Sequence, residues 1–259
     1  MLVQPAYLAG SGDFENLTEL MRQGHGWKDT PASHRERPQL TRSDGNICLT
    51  LDAGRLPWKW TLSRHHTDGR SWTAVLDEMM PVEFVTAAVT SLARPARRHP
   101  RTAAFDSLDT AGWQRGDQPT GTRTATSPDG LVHVTQETAN STGPLWRADC
   151  TVGTFTWWRA SFGEHTPATV IDAFAAALAD PEPLLRWVIG TPLYNCDQYT
   201  RITPTALGPD DERALLDAQI TRAQKARAHP SAVHRPDGPS GPVGLPALPP
   251  PPGAASRQR

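Results

Sequence analysis

The stretch Lys59-Trp60-Thr61-Leu62-Ser63-Arg64 has a second version in the same chain, Leu145-Trp146-Arg147-Ala148-Asp149-Cys150. Trp60 and Trp146 hold the same place in the two, 86 positions apart. Working outward, Trp27 recurs as Trp113 and Trp72 as Trp158 at that interval. Gly26, Pro81, Leu92 and Pro95 likewise have counterparts in Gly112, Pro167, Leu178 and Pro181. The turn Arg42-Ser43-Asp44-Gly45 meets Ser127-Pro128-Asp129-Gly130 one position out of step, a slip that a loop absorbs. Tryptophan is rare in proteins, so three pairs in register are not a chance event. The sequence reads as a tandem duplication.

Both copies follow one local pattern. Asp13 is placed to cap a helix whose apolar face is Phe14, Leu17, Leu20 and Met21; the second copy keeps Phe105 and Leu108 before Gly112-Trp113. Next come two strands around an Asp-Gly turn, Gln39 to Arg42 with Asn46 to Leu51, and Thr122 to Thr126 with Leu131 to Thr135. Two further strands carry the paired tryptophans, Lys59 to Arg64 with Ser71 to Leu76, and Leu145 to Cys150 with Thr156 to Phe162. A helix closes each copy. In the second, Thr166 is expected as N-cap and Pro167 as first helical residue, with Val170, Ile171, Phe174 and Leu178 on one face. The first has Pro81, Phe84, Val85, Ala88, Val89 and Leu92 after a poor cap position at Met80. The expected fold is α+β: a duplicated α-β-β-β-β-α unit whose antiparallel meanders are covered by helices.

Four segments follow from this: repeats at 1–96 and 97–183, an extension at 184–229, and a tail at 230–259. The extension holds an apolar stretch from Leu184 to Asn195 and then a helix. That helix opens on Pro209-Asp210-Asp211-Glu212, runs through Leu215, Leu216 and Ile220, and ends on Arg222, Lys225 and Arg227, complementing the helix dipole. The tail, with Pro249 to Pro252 consecutive, is too poor in apolar residues to offset its ordering entropy and is expected to be disordered and prone to polyproline II.

Composition narrows the function. Lys and Arg number 26 against 27 Asp and Glu, so no whole-chain basic field exists to grip nucleic acid or an anionic membrane. Three cysteines without C-x-x-C spacing argue against a disulfide framework or structural zinc. No eighteen-residue apolar run is present, and Met1-Leu2-Val3-Gln4-Pro5 does not read as a secretory signal. A cytoplasmic protein without a membrane partner is expected.

The order Tyr7-Leu8-Ala9-Gly10-Ser11-Gly12-Asp13, Gly26-Trp27, Ser127-Pro128-Asp129-Gly130, Trp158-Arg159-Ala160-Ser161-Phe162 and Thr166-Pro167-Ala168-Thr169-Val170-Ile171 resembles the actinobacterial SPDY domain, a family of unknown function often found in two copies. The resemblance spans roughly Val3 to Pro181. Gly130 stands where the motif has Tyr, and the first copy, with Arg42-Ser43-Asp44-Gly45, also lacks the Pro. The motif is a turn signature, so the resemblance implies the duplicated architecture and no activity.

A search for chemistry finds no catalytic constellation and no cofactor fingerprint. Cys48 and Cys150 lie in strands and read as core thiols, while Cys196 has no flanking partner. His65-His66 with Asp68 is the densest ligand-like cluster, but adjacent strand residues point to opposite faces. His133 and His165 stand alone, and Gly10-Ser11-Gly12 lacks the glycine pattern of a phosphate cradle. Two features invite binding. The linker holding Arg97, Arg98 and Arg101 can touch phosphate or an acidic partner, unless it is simply solvated. Trp58 and Trp157, without tryptophan counterparts in the other copy, are candidates for a surface platform, the alternative being that they pack beneath a helix. The expected function is therefore a non-catalytic protein–protein interaction scaffold without metal or cofactor. The alternative is nucleic-acid binding through exposed strand tryptophans and the basic linker.

Overall fold

The computed structural model describes residues 1–30, 39–52, 59–65, 70–93, 103–117, 121–139, 143–186 and 198–228. In chain order the first half comprises β1 (Leu2–Gln4), α1 (Phe14–Glu19, continued by a π-helical turn at Leu20–Gly24), β2 (Lys28–Asp29), β3 (Gln39–Thr41), β4 (Ile47–Asp52), β5 (Lys59–Arg64), β6 (Trp72–Asp77) and α2 (Val82–Ser91). The second half comprises α3 (Ala104–Thr110), β7 (Gln114–Asp117), β8 (Arg123–Thr126), β9 (Val132–Ala139), β10 (Gly143–Val152), β11 (Phe155–Phe162) and α4 (Ala168–Ala179). Then come β12 (Leu184–Leu185), β13 (Arg201–Thr203) and α5 (Pro209–Ala228). The fold is α+β with antiparallel sheets. Among the described residues each half gives five strands to the large sheet rather than the expected four: the short edge strands β2 and β7 follow directly on Trp27 and Trp113. Two to four residues are too few to show alternation in sequence.

The two meanders share one ten-stranded sheet, ordered β2-β3-β4-β5-β6-β11-β10-β9-β8-β7. Its order is a palindrome, with β6 and β11 joined at the centre. Their register pairs Ala74 with Phe162, Val75 with Ser161 and Leu76 with Ala160. Each half thus offers one small and one large side chain to the seam, and antiparallel pairing sets large against small, the arrangement that fills space without overlap.

Alternation along the strands leaves one face buried and the other open. The buried face carries Leu49, Leu62, Ala74, Phe162 and Trp146 in one row and Leu51, Trp60, Leu76, Ala160, Ala148 and Val134 in the next. Helices α1 to α4 cover it, with Phe84 of α2 edge-to-face on Phe174 of α4 at 6.1 Å over the seam. All six paired tryptophans are buried. Between the buried rows, Gln39, Thr50, Thr61, Val75, Ser161, Arg147, Thr135 and Thr124 form one unbroken row across the open face. Small β-branched and hydroxyl side chains suit a pleated, solvated surface.

Local details repeat as well. Gly45 donates its N–H to Arg42 O at 2.8 Å, and Gly130 to Ser127 O at 2.9 Å. The Asp44 carboxylate accepts from Asn46 N, as that of Asp129 does from Leu131 N. Both glycines have φ near the left-handed region, +74° and +76°, which a Cβ would strain. The turn therefore forms without the Pro. Ahead of the first tryptophan, Trp27 N–H reaches back to Met21 O, whereas Trp113 N–H reaches only to Leu108 O. The π turn absorbs the one extra residue.

The helix starts differ from expectation. Helix α4 begins at Ala168, and Pro167 (ψ 135°) is the flanking residue; the Thr166 hydroxyl donates to Gly163 O at 2.7 Å instead of capping. Helix α2 starts in the same way after Pro81, and its first N–H, on Val82, is taken by Ser11 O at 2.8 Å. In contrast, Asp13 does cap α1, accepting from Glu15 N at 2.8 Å. β1 lies between β12 and β13 in a separate three-stranded sheet. α5 packs on the π turn through Leu216, Ile220 and Ala223, where Gly24 lets the two backbones approach. The tail expected from residue 230 lies outside the described residues.

Candidate functional site

The two halves part company at one hairpin. In the first, β5 and β6 end on the pair Arg64–Trp72; in the second, β10 and β11 continue past the equivalent pair Cys150–Trp158 to Val152–Phe155. The register shifts between Cys150 and Thr151, leaving Trp157 as the extra residue of a β-bulge. The alternation that would set Trp157 opposite Trp158 is interrupted there. Trp157 is half-buried against the rim of the core, and Phe155 stands beside it, 63% exposed. Their rings meet edge-to-face at 6.2 Å and 73°, an open aromatic corner at the tip of the hairpin.

The open face beside this corner carries both signs of charge. Arg159 pairs with Asp149, and its backbone N–H donates to Asp77 Oδ2 at 3.0 Å. Lys59 lies 3.8 Å from the other Asp77 oxygen. The bonded Asp149 carboxylate holds the Arg159 guanidinium pKa above its ordinary value. Lys59, Asp77, Arg159 and Asp149 thus alternate in sign along one row.

The motif residues of the resemblance lie elsewhere, and they serve one another. Tyr7 donates its hydroxyl to Asp129 Oδ2 at 2.5 Å, across 122 positions of sequence. Ser127, 1% exposed, donates to Asp129 Oδ1 at 2.6 Å, and its oxygen accepts from Val132 N at 2.9 Å. The backbone carbonyl of Tyr7 accepts the indole N–H of Trp158 at 2.8 Å. Burial, and then the bond to the Asp129 carboxylate, push the Tyr7 phenol well above its ordinary pKa. A few residues on, the segment wraps Arg186, which is 5% exposed. Its guanidinium binds both Glu83 oxygens at 2.7 Å and donates to Ala9 O, Gly10 O and Leu185 O. A buried charge is tolerable only when it is paired and bonded in this way. Tyr7 thus ties the N-terminal segment to the second half, and Arg186 ties it to Glu83 of α2.

Of the residues singled out in the sequence, Trp157 forms the aromatic corner. Trp58, Arg97, Arg98 and Arg101 lie outside the described residues, as do Cys196, His66 and Asp68. Cys150 is buried, while Cys48 is half-buried beside the Thr41 hydroxyl at 3.7 Å. Phe155 and Arg186 are not among the residues that the sequence motifs single out. Phe155 was findable, since it sits two residues before Trp157 and just past a Gly-Thr turn; nothing local marks Arg186. Among the described residues no three His, Cys, Asp or Glu converge as metal ligands. A cavity of about 10 Å³ between α4 and the sheet is lined by Val134, Trp146, Phe162, Ile171 and Phe174 among others, with room for about one water and no polar lining. Among the same residues no helix is long and apolar enough to cross a membrane.

Comparison with known proteins adds one finding. No curated protein and no solved structure matches the chain. Residues 126–184 match the model of a family described as SPDY, Domain of unknown function (DUF317). That segment takes in the Ser127 to Gly130 turn, the bulged hairpin and α4, so this part of the chain carries a domain similar to the SPDY family.

Proposed function

We propose that this is a non-catalytic interaction protein. Its two halves, descended from one duplicated unit, form a single sheet that presents the β10–β11 hairpin to a protein partner. The observation that carries the reading is the Phe155–Trp157 corner, an exposed aromatic anchored by a half-buried one on a rigid sheet. Rigid aromatics of this kind dominate binding energy at protein interfaces. The bonds that join Tyr7 and Ser127 to Asp129, and Arg186 to Glu83, support it further, because these side chains are committed to holding the fold.

The test is capture from native extract by the immobilised full chain, with Phe155→Asp as comparison. A partner retained in stoichiometric amount by the parent and reduced at least tenfold by the variant, at equal thermal stability, is the expected result. Identical capture by both removes the hairpin from the reading. Nucleic-acid binding is the second reading, favoured by the same aromatic pair, which suits base stacking. The alternating charges of Arg159, Asp149, Asp77 and Lys59 weigh against it. Tryptophan quenching by oligonucleotides that weakens several-fold between 50 and 200 mM salt would favour it instead.

A further inference from the structure

We propose that the Phe155–Trp157 corner is the docking site of the chain's own proline-rich C-terminal segment, residues 242–253. The assignment rests on reading the β10–β11 hairpin as a recognition site. Two rings set edge-to-face at 6.2 Å and 73° make a notch with two apolar walls. Proline-rich segments are recognised by aromatic-lined surfaces of this sort, because a polyproline II strand is already extended and loses little entropy on binding. The chain supplies such a ligand. Pro242-Val243-Gly244-Leu245-Pro246-Ala247-Leu248-Pro249-Pro250-Pro251-Pro252-Gly253 is apolar and carries no charge that would have to be desolvated against the rings.

Reach permits the contact within one molecule. The chain continues for 31 residues after α5 ends at Ala228. At roughly 3.1 Å per residue in polyproline II, the 13 of them that precede Pro242 can span about 40 Å. Arg227, at the end of α5, lies against Gly26 just before β2, and β11 is five strands along the sheet from there, about 24 Å at roughly 4.8 Å between strands. The hairpin itself points the same way. Strand pairing in this half continues to Val152–Phe155, past the level of the Arg64–Trp72 pair in the other, and Phe155 is the most exposed of the large apolar side chains described. A partner approaching this corner would then compete with the tail.

The test places a photoreactive benzophenone side chain at position 155 of the full-length protein. Equal amounts of ¹⁴N- and ¹⁵N-labelled copies are mixed and irradiated, and cross-linked peptides are mapped by mass spectrometry. The expected result is cross-linking to residues 242–253 within single copies, reduced at least fivefold when Pro249, Pro250, Pro251 and Pro252 are all replaced by serine. Cross-links to that segment that are absent, indifferent to the serines, or formed only between copies would overturn the proposal. If Phe155→Asp still abolishes capture of a separate partner while the tail cross-links are missing, the interaction reading stands and the tail assignment alone falls.

Discussion

Val75 and Ser161 are direct partners across the junction of β6 and β11, and they are also 86 positions apart, the interval at which the tryptophans recur. A residue and its counterpart can face each other only where a two-fold relation passes between them. On either side the small member of one half meets the large member of the other, Ala74 with Phe162 and Ala160 with Leu76. The seam is therefore sensitive to volume in both halves alike.

Replacing Ala74 or Ala160 by Leu sets two large side chains against each other in a fully buried position. Overpacking of this kind costs about 1–3 kcal/mol. The two variants should lose similar amounts in urea unfolding, and a large inequality would show that the helices above the seam do not treat the halves alike.

Trp72 and Trp158 are counterparts that differ in one bond. The Trp158 indole donates to Tyr7 O at 2.8 Å, whereas that of Trp72 has no acceptor among the described residues. Trp→Phe removes a similar volume from each site but strands a buried carbonyl only in the second. Trp158→Phe should thus cost more than Trp72→Phe by about 1 kcal/mol, measured by urea unfolding.

Tyr7→Phe removes the hydroxyl that reaches Asp129, at a cost of about 1–3 kcal/mol near neutral pH. The variant also alters the alkaline limb. Because folding raises the Tyr7 pKa, its contribution is fully present below the unfolded value near 10.0 and is lost as pH climbs towards the higher folded one. The stability difference between parent and variant should therefore shrink above pH 10, read from denaturant midpoints at a series of pH values.

At the α5 contact the sign reverses. Burial, and then the Arg227 guanidinium, hold His25 below its ordinary 6.5. A depressed histidine contributes stability that is present above pH 6.5 and is lost as pH falls through the folded value. The parent should weaken below that point more steeply than His25→Gln, with the loss showing first as faster amide exchange in α5. Equal slopes in the two proteins would mean that α5 does not sense this group.

Much of this architecture could be read along the chain. The Lys59 to Arg64 strand is found at its expected bounds, the paired tryptophans are all interior, and the Asp-Gly turns form in both halves. Alternation and turn chemistry are properties of neighbouring residues, so they survive in a sequence of any fold. What neighbours cannot encode is which edge meets which. Whether the two meanders lay in one sheet was decided by β6 and β11, each already paired on one side in its own hairpin, whose free edges meet at the centre. The bond from Tyr7 to Asp129 spans 122 positions and the guanidinium bonds of Arg186 span up to 177, distances at which no spacing rule operates. The bulge at Trp157 belongs to the same class. One extra residue between two strands is invisible until their partners are known, and it turned an expected strand tryptophan into the anchor of an exposed aromatic corner.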